Sequence, residues 1–231
     1  MRLALQQAQT IIGNTSTNPA VGCVIVKDGC VVSAASTNIN GRPHAEYKAL
    51  NNIRNSVKKK SNLFVTLEPC SHYGKTQPCV NKIIKGKIKK VFFSINDPDL
   101  RSYNKSINIL KKRSILASKG TESRKIRNFY QSYIKYKKGK LPFVSSKLAI
   151  SKDFYTKNIY KRWITNFYSR SRVHLLRSKH DCILSSVKTI LNDNPLLDCR
   201  INGLENKSPT KVILDKKLRI PINSRIIKNA K

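Results

Sequence analysis

The sequence predicts an α/β fold, in which helices alternate with strands and cover the faces of a sheet. Three dense apolar runs, at residues 21–26, 63–67 and 91–95, have the length of buried strands. Stretches with apolar residues at helical spacing precede and separate them, beginning with residues 1–12. With 231 residues the chain is long enough for two modest domains. We place the boundary near residue 140, which gives domains at 1–140 and 141–231.

The elements of the first domain are bounded by turn-forming and helix-breaking residues. In chain order they are a helix at residues 1–12, strands at 21–26 and 31–35, a helix at 44–53, a strand at 63–67, a short helix at 80–84, a strand at 90–95 and a basic helix at 121–137. Asp28 and Gly29 predict a tight turn between the first two strands. Pro43 lies just before the second helix, where its missing N–H costs nothing.

The second domain also mixes strands with helices, which again indicates α/β layering. Its predicted elements are strands at residues 143–150, 182–185 and 211–214 and a helix at 169–178. The first of these strands begins directly after Pro142, which ends the polar segment between the domains.

The charge of the chain is strongly positive, with 46 Lys and Arg against 12 Asp and Glu and a formal net charge of +34. Such a field attracts phosphates, so a nucleic-acid-binding remnant is one alternative function. The basic residues are scattered along the whole chain, however, and few aromatic residues lie among them to stack on bases. We therefore expect a small-molecule substrate, which is free to be anionic, and no nucleic-acid partner.

The sequence favours a cytoplasmic location. It contains no apolar run of the roughly 18 residues that would cross a membrane, and no secretory signal is visible at the N-terminus. In a reducing compartment the six cysteines are expected to be thiols or metal ligands rather than disulfides. Only Cys70 and Cys79 lie in a context that indicates chemistry.

Three side chains have the type and order of a zinc site. His44 begins the predicted second helix, Cys70 follows the strand at 63–67, and Cys79 precedes the short helix at 80–84. One His and two Cys are three ligands for Zn²⁺, and a catalytic zinc site keeps a fourth position open. Two helices that begin at these segments would point their N-termini toward the metal, which favours ionised thiolates.

Glu46 is the candidate catalytic residue, because it lies close to His44 without being a ligand and can move protons. A His-x-Glu segment followed by Pro-Cys and a second Cys is the signature of zinc deaminases. A purely structural zinc with a fourth ligand is the alternative. Cys23 is the candidate for that ligand, although its alternation with Val21 in an apolar strand favours core packing.

At these residues the chain resembles the bifunctional riboflavin-biosynthesis deaminase–reductase family. The matching segments are residues 18–26, 43–46 and 66–79. The last is the most specific, because cytidine and tRNA adenosine deaminases separate their two cysteines by two residues, whereas eight intervene here. The resemblance implies a cytidine-deaminase-like three-layer α/β/α domain that uses Zn²⁺. A partial Rossmann-like (dihydrofolate-reductase-like) domain would follow it.

The resemblance also implies a reaction for the first domain, the hydrolytic deamination of 2,5-diamino-6-ribosylamino-4(3H)-pyrimidinone 5′-phosphate. Asn18 resembles the family's pyrimidine-binding asparagine, and His72 resembles a substrate contact. The residues between Cys70 and Cys79 resemble the loop that receives the ribose phosphate. In that loop a glycine lets backbone approach an oxyanion, and Lys75 offers a positive charge.

The second domain resembles the NADPH-dependent reductase of the same family. By this resemblance the NADPH contacts would be Ala149, Trp163, Thr189 and Asp193, and the ribosyl phosphate contacts would be Arg177, Leu197 and Arg200. The two arginines suit a phosphate, because guanidinium binds it with two parallel hydrogen bonds.

Several features depart from the reductase pattern. Phe154 replaces a glycine, the stretch from there to Trp163 is shortened, and Lys216 replaces a cofactor-contacting serine. The chain ends at Lys231, before the family's Gly-rich cofactor loop, so we expect no reductase activity from this chain alone. A bifunctional enzyme that is active in both steps is the alternative. Apolar surface left by the missing part would favour a homo-oligomer.

Overall fold

A computed structural model of the chain describes residues 1–156 and 163–230. The chain forms two compact units, Met1–Val144 and Ser145–Lys231. The division lies close to the predicted boundary near residue 140, while the separate functions of the two domains stay a prediction. Within the described residues, every helix is too short or too polar to cross a membrane.

The first unit is a five-stranded mixed sheet with helices around it. The helices are α1 (Arg2–Thr10), α2 (Ala45–Asn51), α3 (Asn55–Lys58), α4 (Cys79–Lys85), α5 (Ser106–Lys111), α6 (Ser123–Phe129) and α7 (Gln131–Gly139). The strands are β1 (Gly22–Lys27), β2 (Cys30–Ser36), β3 (Asn62–Leu67), β4 (Lys90–Ile95) and β5 (Leu116–Lys119). Their order is β2-β1-β3-β4-β5, in which β1 runs antiparallel to β2 and β3, and β3, β4 and β5 are parallel.

The predicted hairpin between β1 and β2 is confirmed. Lys27 pairs with Cys30, and the two residues between them, Asp28 and Gly29, have φ angles of 50° and 80°. Positive φ at both central residues is the geometry of a type I′ turn, whose twist matches that of the flanking strands.

Helices cover both faces of this sheet. Cys23, Val65 and Phe93 are neighbours across three strands, and all three are fully buried on one face. Helices α2 and α4 contribute Leu50 and Ile83 to the same core. On the opposite face α1 lies so close to Gly22 that a Cβ at this position would collide with the carbonyl oxygen of Ala4. The predicted three-layer α/β/α arrangement is confirmed.

The basic helix predicted at residues 121–137 is instead two helices, α6 and α7, which meet at Tyr130. Tyr130 is 2% exposed, and its hydroxyl lies 2.6 Å from Thr66 Oγ1 and donates to the carbonyl oxygen of Ala20 at 2.9 Å. Its backbone has φ −91° and ψ 11°, outside the helical range. The helix is interrupted where this aromatic side chain turns inward to reach the sheet.

The second unit contains a two-stranded parallel sheet and short helices. Its elements are α8 (Phe167–Arg177), β6 (Cys182–Ser186), α9 (Val187–Asp193), β7 (Thr210–Leu214) and α10 (Arg225–Lys228). A small core of Ile190, Leu197 and Ile226 packs between them. The predicted strands at 182–185 and 211–214 and the helix at 169–178 are confirmed.

The strand predicted at residues 143–150 is wrong. This segment is irregular, and no strand in the described part of the chain pairs with it. Its apolar side chains are turned to solvent, with Val144 76% and Leu148 72% exposed. Apolar alternation predicts a strand only where a neighbouring strand satisfies the backbone N–H and C=O groups. The sequence also failed to predict α3, α5, β5, α9 and α10, which are at most seven residues long, too short for a clear periodic pattern.

Candidate metal centre

The fold brings the three predicted zinc ligands together. His44 is the residue before α2, Cys70 follows β3, and Cys79 is the first residue of α4. Their ligand atoms all lie within 4.8 Å of one another. His44 Nδ1 is 3.3 Å from the sulfur of Cys79 and 3.6 Å from that of Cys70.

These distances fit Zn²⁺. Zinc binds imidazole nitrogen at about 2.0–2.1 Å and thiolate sulfur at about 2.3 Å, so neighbouring ligand atoms of a tetrahedral site are about 3.5–3.8 Å apart. The two nitrogen–sulfur distances are close to that range. Within residues 1–156 and 163–230, no fourth His, Cys, Asp or Glu joins this group. Cys23, the alternative fourth ligand, is fully buried in β1. The donor set is therefore that of an open site.

The two sulfur atoms of the site differ in their proton affinity. The pKa of Cys70 is lowered to about 4, first because the thiol of Cys79 donates a hydrogen bond to its sulfur. The backbone N–H of Cys79 also donates to this sulfur, at 3.2 Å. The pKa of Cys79 is raised, since it is the donor in the pair and is deeply buried. A divalent metal ion binds thiolates, so its binding to these two residues releases protons.

Glu46 lies beside the ligands and is almost completely buried. It is 4% exposed in the first turn of α2. Burial is the main reason that the pKa of Glu46 is raised to about 7. A carboxyl group that titrates near neutral pH can both accept and release a proton in one reaction cycle.

Asn18 is held at the end of the loop before β1. Its side-chain Nδ2 donates to the carbonyl oxygen of Gly41 at 3.2 Å. Gly41 has a φ of 84°, and a Cβ there would collide with the same Nδ2. The chain therefore needs glycine at this position to keep the Asn18 amide in place.

His72 and Lys75 lie in the loop between the two cysteines. The ring of His72 is anchored by Ser102, whose Oγ lies 2.8 Å from Nδ1. Burial is the main cause that lowers the pKa of His72. Lys75 is exposed. Arg42, which precedes Pro43 and His44, contacts this loop. Its guanidinium donates to Thr76 Oγ1 at 2.5 Å.

A cavity of about 420 Å³ opens beside the ligands His44 and Cys79. The other lining residues are Pro43, Tyr47, Thr76, Gln77, Pro78, Lys82 and Lys85. Lys82 lies over the ring of Tyr47, with its ammonium group 4.7 Å from the ring centre. The lining of the cavity therefore combines two candidate metal ligands with the positive charges of Lys82 and Lys85.

In the second unit the structure brings together the three residues predicted to contact a ribosyl phosphate. Arg177, the last residue of α8, donates to the carbonyl oxygen of Asp198 at 2.9 Å, and Arg200 Nε lies 3.4 Å from the carboxylate of Asp198. Leu197 is buried beside them. His174 also joins the group, with Nδ1 3.1 Å from the carbonyl oxygen of Asp198. Burial, followed by the charge of Arg200, lowers the pKa of Arg177.

The four predicted NADPH contacts are not joined in this way. Ala149 is half-buried in the irregular segment, and Thr189 and Asp193 lie on α9. Among the described residues, no side-chain hydrogen bond is found between any two of these three. Trp163 is exposed, and the guanidinium of Arg170 lies 4.8 Å from its ring centre. The predicted shortening between Phe154 and Trp163 falls largely on residues 157–162, which lie outside the described residues.

Sequence reasoning missed the residues that support the site from behind. Glu68 lies in the matching segment 66–79, and the sequence assigns it no role, although it is 2% exposed and accepts four hydrogen bonds. A carboxylate at the end of an apolar strand is costly to bury unless it is hydrogen-bonded. Its position therefore indicates that buried N–H or O–H groups lie nearby. Ser102 had no comparable sign in the sequence.

Two families match the chain. The family described as the cytidine and deoxycytidylate deaminase zinc-binding region matches residues 1–95, and the RibD C-terminal domain matches residues 142–231. Riboflavin biosynthesis protein RibD of Bacillus amyloliquefaciens is 35% identical over 229 residues, and that of Aquifex aeolicus is 34% identical over 229 residues. Each alignment covers 98% of this chain.

Solved structures give the same result. A deaminase/reductase structure from Thermotoga maritima covers 94% of the chain with a TM-score of 0.87 and 34% identity. The structure of Acinetobacter baumannii RibD, form 2, covers 99% of the chain with a TM-score of 0.85 and 31% identity. The α/β fold predicted for both domains is confirmed. The chain spans 61% and 64% of the two curated relatives, a little under two thirds of their length.

Proposed function

The chain belongs to the RibD family of riboflavin-biosynthesis proteins, and on that basis we propose that its first unit is a zinc-dependent pyrimidine deaminase. The observation that carries the proposal is the open His44, Cys70 and Cys79 donor set with the buried Glu46 beside it. The proposed substrate is 2,5-diamino-6-ribosylamino-4(3H)-pyrimidinone 5′-phosphate. The Thermotoga maritima relative is named a diaminohydroxyphosphoribosylaminopyrimidine deaminase, which supports this substrate.

In the proposed reaction, water replaces the 2-amino group of the ring and ammonia leaves. Zinc held by the three ligands supplies a Lewis acid that makes water a better nucleophile at neutral pH. Glu46 accepts a proton from the attacking water and returns it to the amino nitrogen, so that the nitrogen leaves as neutral ammonia. The amide of Asn18 pairs with the ring edge, since an amide both donates and accepts. His72 and Lys75 bind the rest of the substrate.

Ammonia release from the diaminopyrimidine ribose phosphate tests this proposal. Glu46→Gln should lower kcat by at least about 100-fold, because it removes the proton carrier and keeps the shape of the side chain. Glu122→Gln is the matched control. Glu122 is a glutamate of the same unit, but it pairs with Arg2 and is not part of the metal site. Normal activity of Glu46→Gln would exclude this residue as the proton carrier. No ammonia release by the zinc-loaded chain would exclude the substrate.

For the second unit we infer a ribosyl-phosphate-binding role. Arg177 and Arg200 both lie against Asp198, so two guanidinium groups, which bind phosphate well, are brought to one place. The NADPH contacts are supported only by the resemblance. The lack of reductase activity predicted for this chain is tested by NADPH oxidation in the presence of the deaminated product. Oxidation at a steady rate would favour the bifunctional alternative.

The proposal also covers the cellular location and the oligomeric state of the protein. Both cysteines of the site must be thiolates, so a reducing, cytoplasmic location suits the enzyme. All six cysteines of the chain are free. A homo-oligomer is also proposed, and light scattering across a range of protein concentrations would test it.

A further inference from the structure

Ser102 is a fully buried hydroxyl that joins two neighbouring residues of the metal loop. It is 0% exposed, accepts the backbone N–H of Ser71 at 3.2 Å, and lies 2.8 Å from Nδ1 of His72. The backbone N–H can only donate, so Ser102 Oγ is the acceptor in the first bond. The direction of the second bond decides which nitrogen of His72 carries the proton.

The burial of Ser102 settles that direction. If Nδ1 of His72 donated to Ser102, the hydroxyl hydrogen would have no partner in a site without solvent. An unpaired buried donor costs about 1–3 kcal/mol. If Ser102 donates to Nδ1, the hydroxyl hydrogen and the Nδ1 lone pair are partners of each other. Neutral His72 then carries its proton on Nε2.

The segment that holds Ser102 is fixed on both sides. The carboxylate of Glu68 accepts the backbone N–H groups of Asp97 at 3.3 Å, Asn104 at 2.9 Å and Ser106 at 3.0 Å. Two of these residues follow Ser102 and one precedes it. These bonds hold the backbone on both sides of Ser102 and so fix the position of its hydroxyl beside His72.

The Nε2 atom of His72 lies 4.0 Å from the position of a Cβ built on Gly74, and no hydrogen bond among the described residues uses it. We propose that Ser102 is a positioning residue that holds His72 in the Nε2–H tautomer, so that the loop presents a hydrogen-bond donor to the substrate. The substrate atom that meets His72 is then an acceptor, such as a carbonyl or phosphate oxygen, and an amino group is disfavoured there. This selection of an acceptor rests on the proposed function, whereas the tautomer does not.

Nitrogen-15 NMR of the histidine rings in the full chain tests the tautomer directly. Spectra are recorded at about pH 8, well above the ordinary histidine pKa of about 6.5. The chain has four histidines, and the His72 signals are assigned by their loss in His72→Gln. We expect a protonated Nε2 and an unprotonated Nδ1. A protonated Nδ1 in the unaltered chain would overturn the proposal, whether or not the protein deaminates anything.

Ser102→Ala gives the second readout. It should release the ring to exchange between both tautomers, so that the two ring nitrogen signals move toward each other. Ser94→Ala is the matched control, because Ser94 is also a buried hydroxyl of this unit, bonded to the carbonyl oxygen of Thr121 at 2.7 Å. The control should lose similar stability without a change in the His72 signals. Unchanged His72 signals in Ser102→Ala would assign Ser102 a merely structural role.

Kinetics complete the test if the chain is active. Ser102→Ala should raise KM about five- to tenfold, as expected for one weakened substrate hydrogen bond, and leave kcat within about twofold. A fall in kcat with unchanged KM would contradict a binding role for His72. If the unaltered chain releases no ammonia, the proposed function fails and the tautomer result stands by itself.

Discussion

Replacing Glu68 with glutamine is expected to destabilise the first unit strongly, although the change is isosteric. One carboxylate oxygen accepts the N–H groups of Asp97 and Asn104, and the other accepts the N–H of Ser106 and its hydroxyl. Glutamine keeps one carbonyl oxygen and turns an NH₂ group toward the other pair of donors. The hydroxyl of Ser106 can rotate and accept from this NH₂ group, whereas its backbone N–H cannot.

The magnitude follows from the donors that lose a partner. The favoured orientation of glutamine keeps the bonds to Asp97 and Asn104 and leaves the N–H of Ser106 without an acceptor. That loss costs about 1–3 kcal/mol, and the remaining bonds weaken because they no longer have a charged acceptor. We expect the free energy of unfolding to fall by about 2–4 kcal/mol.

Urea denaturation followed by the near-ultraviolet circular dichroism of tyrosine measures this loss. The single Trp of the chain, Trp163, lies in the second unit, so its fluorescence would follow the wrong part of the molecule. Hydrogen exchange should speed up first at the amide of Ser106. Glu122→Gln is the control and should leave the denaturation midpoint almost unchanged, since it removes only surface ion pairs. A loss below about 0.5 kcal/mol for Glu68→Gln would refute the reasoning.

Two further predictions concern metal binding and pH. Cys70→Ser should weaken zinc binding by more than about 100-fold, measured by competition with a chelator, because a thiolate ligand is lost. Cys30→Ser, at an exposed thiol of β2, should bind zinc normally, and equal zinc affinity of the two variants would exclude the site. Asp97 has its pKa raised to about 6, mainly by burial, so the folded protein keeps this proton longer than the unfolded chain does. Its contribution to stability should therefore fall by about 2–3 kcal/mol as pH rises from about 4 to about 6. Urea denaturation at several pH values measures the free energy of unfolding, and Asp97→Asn should lack this fall. If the free energies of the variant and of the unaltered chain changed in parallel with pH, the prediction would be contradicted.

The sequence predicted the central strands and the hairpin of the first unit because their information is local. The apolar runs at residues 21–26, 63–67 and 91–95 are long enough to identify strands without knowledge of their partners. Asp28 and Gly29 specify their turn through their own φ preferences. The same holds for the three metal ligands, since the type and order of His44 and the two cysteines indicate zinc before any distance is known.

Elements whose form depends on distant partners were predicted less well. Tyr130 divides a helix because its hydroxyl reaches Thr66 and Ala20, far away in the chain. The segment at 143–150 has the alternation of a strand but no hydrogen-bonded neighbour in the described part of the chain. The local sequence pattern predicts neither outcome, because both depend on which groups lie within a few ångströms of one another after folding.

The sequence by itself therefore determined the chemistry of the candidate centre: the three ligands, the glutamate beside them and the loop between the cysteines. Only the tertiary structure decided how these groups are set. It buried Glu46, which raises its pKa, and it placed Ser102 against His72 across 30 residues of chain. The physical reason is that ligand identity is a property of each side chain, whereas proton position depends on the neighbours that folding brings and on the water that it removes.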